Sequence, residues 1–156
     1  LSGTIKAYVR VDGGGRVKHT FLKRSTLGDL ETERCMLDAL RKQSWPAPVG
    51  GKEGYAENEL SFDPPDRVRL PVSWTESDAG KNVAAMRGVL SDCAKGAGSG
   101  KLSATIHVET DGSVLSVGVA GEEPGTEQAA SCVEKGLKAI KLSSPGSFAA
   151  KLTIGP

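Results

Sequence analysis

The sequence predicts an α+β protein: two small domains in tandem, each a short antiparallel sheet with helices packed on one face. Three observations carry this expectation. A shift of 97 positions lays "GTIKAYVRVDGGGRV" from Gly3 on "GKLSATIHVETDGSV" from Gly100 without a gap. In both segments apolar residues alternate at period two around a glycine turn, the pattern of a half-buried hairpin. Downstream, both copies change to the spacing of an amphipathic helix. A repeat this long means two domains and not a solenoid.

The first strand follows Ile5, Ala7, Val9 and Val11, which lie on Leu102, Ala104, Ile106 and Val108. Lys6, Tyr8 and Arg10 take the other face, as do Ser103, Thr105 and His107. Gly15 lies on Gly112 in the turn, where glycine supplies the positive φ of a tight hairpin. "VKHTFLKRS" and "VLSVGVAGE" are the second strands, and Gly28 and Gly125 open the helices. Cys35, Met36, Ala39 and Leu40 share one helix face, expected to be buried; Cys132, Val133, Gly136, Leu137 and Ile140 share its counterpart. Trp45 and Pro46 end the first helix.

"NELSFDP" from Asn58 matches "AKLTIGP" from Ala150, ending at Pro64 and Pro156, and both read as closing strands. The run "DRVRLPVSW" alternates Val68, Leu70, Val72 and Trp74 and reads as an extra strand near residues 67–74, with Pro71 favouring an edge. In the alternative register this run is itself the closing strand of the first copy. Ser77 or Asp78 can cap a linking helix whose inward residues are Val83, Met86, Leu90 and Cys93; the glycines from Gly96 to Gly100 stop it. The domains are therefore 1–76 and 77–156, and the first has no counterpart of the linking helix. Identities between the copies fall at turn and core positions, so the repeat preserves a fold and not a catalytic site.

Composition narrows the function. Lys+Arg 20 against Asp+Glu 19 leaves a net charge of +1, unlike the basic footprint of a nucleic-acid binder. No run approaches the ~20 apolar residues of a membrane span. The chain opens directly on a strand, as a mature protein or excised soluble fragment would. Cys35, Cys93 and Cys132 lack metal-ligand spacing, and free cysteine can serve as a small core hydrophobe. His19 and His107 are not repeated and read as surface residues on strands. "GGG" at Gly13–Gly15 leads into a strand, so it is a turn and not a phosphate loop. Trp45 reads as a cap on the core; Trp74 suits a core role or a partner-anchoring role equally. No acid/base, nucleophile or cofactor constellation emerges, so the expectation is a non-enzymatic protein without cofactor or metal.

The order strand, DG turn, strand, Ser/Gly-rich turn, helix, aromatic-Pro, strand resembles the C-terminal domain of TonB-type energy transducers. The most specific piece is "GGRVKHTFLKRSTLGDLETERCMLDALRKQSWPAP". A cysteine in each helix is more particular and resembles the C-terminal domains of myxobacterial envelope proteins of the AgmX/PglI type. Cys93, Cys132 and Leu137 match that pattern in the second copy; Cys35, Leu40, Arg41, Trp45 and Pro46 match its latter half in the first.

The resemblance implies a Cys93–Cys132 disulfide and an oxidising, periplasmic or otherwise extracytoplasmic envelope location. Such a bridge would close a loop of about 38 residues and stabilise by roughly 3–4 kcal/mol. Cys35 is then a buried free thiol or half of a bridge whose partner helix is outside this sequence. The resemblance also implies a protein partner in the envelope, within motility, transport or secretion machinery. TonB-like domains take extended segments by strand addition, with main-chain hydrogen bonds supplying affinity. The candidate edge residues are Leu60 and Phe62, Val72 and Trp74, and Leu152 and Ile154. The alternative is a structural or assembly element whose domains self-associate.

Overall fold

The structure, a computed structural model, describes residues 1–155; Pro156, the last residue of the closing-strand match, lies outside the described residues. The chain is a mixed α/β protein with two sheets. β1 (Gly3–Val11) and β2 (Val17–Ser25) form a hairpin, α1 (Leu30–Lys42) follows, and β3 (Gly54–Phe62) returns beside β1. The three strands are antiparallel in the order β2-β1-β3. β4 (Val72–Trp74), α2 (Glu76–Ala79) and α3 (Asn82–Gly96) lead to a second hairpin of β5 (Leu102–Val108) and β6 (Val114–Gly121). α4 (Thr126–Lys138) and β7 (Ala150–Ile154) complete a four-stranded sheet in the order β4-β7-β5-β6.

Local chemistry explains the elements. In the first turn the Asp12 side chain accepts from the N–H groups of Gly14 and Arg16, at 2.9 and 3.0 Å. Gly15 and Gly112 have φ of 82° and 83°, which disfavours a side chain. Each is also pressed against the segment that leaves the following helix. A Cβ at Gly15 would stand 2.4 Å from the Trp45 carbonyl oxygen, and one at Gly112 would stand 2.1 Å from that of Leu142. Asp29 caps α1 by accepting from Thr32 N–H at 3.0 Å. The expected cap at Ser77 or Asp78 is instead Thr75, closed by a reciprocal bond with Asp78; Gly80 then breaks the segment so that α3 begins at Asn82.

The larger core lies on the second sheet and joins Met86, Leu90, Ile106, Val133, Leu137 and Leu152. The smaller one joins Ile5, Ala7, Leu22, Leu27 and Leu37 with Ala120 of β6. The sheets meet through β2 and β6. For that reason Thr20, Phe21 and Leu22 are buried in succession, as are all residues from Val117 to Gly121. Period-two alternation fails there because both faces are covered.

Several sequence expectations change. Cys35 and Ala39 do not lie on the buried face of α1: Leu30, Glu33 and Leu37 do, flanked by Met36 and Leu40. Cys35 is exposed, on the far side of that stripe, with no second helix over it. Residues 67–71 form no strand. Only Val72–Trp74 pair, and they pair parallel to β7 of the second sheet, so a division after residue 76 separates β4 from its own sheet. The closing strand beside β1 is Gly54–Phe62, which removes the alternative register. His107 is half-buried, because the first sheet covers the face expected to be open, and its Nε2 lies 2.8 Å from the Leu27 carbonyl oxygen. Trp74 packs on the larger core, and half-buried Trp45 donates its indole N–H to the Leu40 carbonyl at 3.0 Å.

Candidate strand-addition edges

Three outer edges were candidates, and the fold treats them differently. β7 is not open. β5 pairs with it on one side, and β4 covers Ala150–Leu152 on the other. Leu152 and Ile154 are 1% and 0% exposed, so both are core residues and cannot present themselves to a partner. Period-two alternation identified their strand; only the sheet order shows that the edge is taken.

β4 is held by main chain and by side chains. The Val72 N–H donates to the Ala149 carbonyl at 2.8 Å, and Trp74 inserts toward the core. Just upstream, the Arg69 guanidinium stacks 3.4 Å above the Phe148 ring. Val68, Leu70 and Val72 remain exposed, so this extended segment is attached mainly at its C-terminal end.

β3 pairs with β1 alone and has a free outer edge among the described residues. Ile5 faces Leu60, Ala7 faces Asn58 and Val9 faces Ala56. Leu60 is 40% exposed and Phe62 packs partly against the smaller core. On the other face Tyr8 stacks between Phe21 and Tyr55, with ring centroids 4.7 and 5.8 Å apart. Glu57 is gripped by Lys23 at 2.6 Å and Lys6 at 2.7 Å, and Glu53 by Lys18 and Arg10. These cations hold both carboxyls below the usual range, Lys23 acting most on Glu57 and Lys18 most on Glu53. The edge is thus a rigid, charge-balanced rim.

Register relates the open edge to the covered one. Val9 pairs with Ala56, and Ile106, its match in the repeat, pairs with Leu152. Gly54–Ala56 therefore correspond to Ala150–Leu152, the residues that β4 covers. Along Gly54–Ala56 there is instead a cleft of about 490 Å³, lined by Val11, Trp45, Pro48, Val49 and Tyr55. Sequence reasoning placed the closing-strand match four residues from this register and so missed Tyr55 and Ala56. The pairing with β1 is the signal that locates them.

The third feature is the staple. Cys93 of α3 and Cys132 of α4 are bonded, with Cα atoms 5.7 Å apart. Among the described residues no group of three or more His, Cys, Asp or Glu is placed to hold a metal, and no helix is long and apolar enough to cross a membrane. No family model, curated protein or solved structure matches the chain.

Proposed function

We propose that the chain is a pair of tandem TonB C-terminal-like domains that acts as a non-enzymatic protein-binding module of the cell envelope. It takes an extended segment of a protein partner as an added strand on β3. The observation that carries this reading is β4: a three-residue extended segment is already seated on the corresponding edge of β7. A sheet that accepts one strand there has the backbone geometry to accept another at the open counterpart. Two further observations support the tandem arrangement. The order hairpin, helix, closing strand occurs twice, and Gly15 and Gly112 are approached by the backbone of Trp45 and Leu142, which are also 97 residues apart. The Cys93–Cys132 bond favours an oxidising compartment, consistent with the periplasm. Motility, transport or secretion machinery of the AgmX/PglI type is the setting the resemblance implies.

The test is a proline scan on the free edge. The Val72 N–H donates to the Ala149 carbonyl, so odd-numbered residues of β7 turn their backbone groups outward, and by register those of β3 do the same. Glu59→Pro removes an outward N–H and leaves the β1 ladder intact. Peptides selected from a displayed library for binding to the chain should lose at least tenfold in affinity to this variant, with its circular dichroism unchanged. Undiminished binding would refute strand addition at β3.

The alternative reading, an assembly element, has its own observation. Tyr55 and Val49 leave an exposed apolar surface beside the open edge, on which a second copy could pair β3 with β3. Light scattering separates the two: mass that doubles with concentration, and stays monomeric in Glu59→Pro, supports assembly.

A further inference from the structure

The two sheets are joined across β2 and β6 by a buried polar contact. Glu33 of α1 is 1% exposed and reaches across to the second sheet. Its Oε2 accepts from the Val119 N–H of β6 at 2.8 Å, and its Oε1 accepts from the Ser25 hydroxyl at 2.5 Å. Ser25 is itself tied across the interface, because the Thr105 hydroxyl of β5 donates to its carbonyl at 2.9 Å. The fit is close: a Cβ at Gly118 would stand 2.1 Å from Glu33 Oε1. Among the described residues no Lys or Arg pairs with this carboxyl. Arg34 bonds to Ser131, and Arg41 bonds to Asp38 and to Glu127 of α4. The other charge near it is Asp29, at the head of α1.

We propose that this contact is a pH-dependent latch: Glu33 in its neutral form holds the two sheets together, and its ionisation loosens them and uncovers the outer edges of β2 and β6. The geometry makes the neutral form the fitting one. A protonated carboxyl can donate to Ser25 Oγ and still accept from Val119, whereas a buried carboxylate has only these two neutral donors to replace water.

Burial pushes the carboxyl up to about 7 from 4.5, against the opposing pull of its two hydrogen bonds. A group held this way contributes fully to the contact below pH 4.5 and loses its contribution as pH rises through 7. The difference corresponds to about 300-fold in the closed-to-open ratio at high pH. His107 forms the reciprocal bridge, from β5 to the Leu27 carbonyl. Burial lowers its value from 6.5 and Lys151 adds to the effect, while the hydrogen bond to the Leu27 carbonyl and Asp29 oppose it. The neutral ring therefore predominates from pH 6.5 upward, and Glu33→Gln, which keeps His107, separates the two groups.

Amide hydrogen exchange on the full chain tests the latch. The protection factor of Val119 should fall about fourfold between pH 6.5 and 8.5, while that of Val9, in the centre of the first sheet, changes by less than about 1.5-fold. Glu33→Gln has the same shape and cannot ionise, and its Val119 protection should be flat. An unchanged Val119 in the wild type, an equal fall in Glu33→Gln, or a parallel fall at Val9 would each overturn the proposal. Should Glu33→Gln fail to fold, the ¹³C titration of the wild-type Glu33 carboxyl decides: a midpoint near 7 supports the latch and one below 5 overturns it.

Discussion

Removing the Cys93–Cys132 bond should destabilise the protein chiefly by freeing its unfolded chain. The bonded residues are 39 positions apart. Closing a loop of that length lowers the entropy of the unfolded ensemble, which stabilises the fold by about 4 kcal/mol at 25 °C. In a chain of this size that corresponds to roughly 8–16 °C in Tm. The two ends differ in setting. Cys93 is buried at 5% exposure, whereas Cys132 is exposed, so reductant reaches the bond in the folded state. The assay is guanidinium unfolding of the oxidised and reduced forms on a Cys35→Ser background, which prevents exchange with the exposed thiol. Cys35→Ser alone should change stability by less than about 0.5 kcal/mol, as surface substitutions do. Reduction should lower the midpoint and raise the m-value, because the freed chain exposes more surface on unfolding. A loss under 1 kcal/mol with unchanged m would refute the reasoning. So would a separate early transition, since it would mean that α3 detaches locally and the bond acts on the folded state.

Two further outcomes follow from the packing. Gly112→Ala must place its Cβ against the Leu142 carbonyl at a φ of 83°, and should cost about 2–4 kcal/mol in urea unfolding; a change under 0.5 kcal/mol would mean that residues 139–143 are not held as described. Trp74→Ala removes the anchor of β4 and should cost about 2 kcal/mol. By freeing the β7 edge it should also raise the stoichiometry of a β3-binding peptide from one to two by calorimetry. A stoichiometry still at one would count against the equivalence of the two edges.

Much of the fold was legible in the sequence. Alternation at Ile5, Ala7, Val9 and Val11 and at Leu102, Ala104, Ile106 and Val108 located the central strands, because side-chain direction in a strand has period two whatever surrounds it. Gly15 and Gly112 marked the turns, because positive φ is a local demand. The inward faces of the central strands and of α3 were legible too, but the burial of α1 and of the second face of β5 was not. Cys35 occupies the same place in its helix as Cys132, yet only α4 has another helix on that flank, so only Cys132 finds a partner. Glu33 drew no notice, because a lone acid in a helix reads as solvated until a second sheet closes over it. Val72–Trp74 reads from sequence as an extra strand of the first copy, yet it joins the four-stranded sheet, since pairing of a short extended run is decided by which edge lies within reach. Sequence thus determined the two hairpins, their turns and the helices that follow them, each set by the chain's own dihedral and periodic preferences. Tertiary structure alone decided the covered edge of β7, the open edge of β3 and the buried Glu33, because these depend on the meeting of surfaces far apart in the chain.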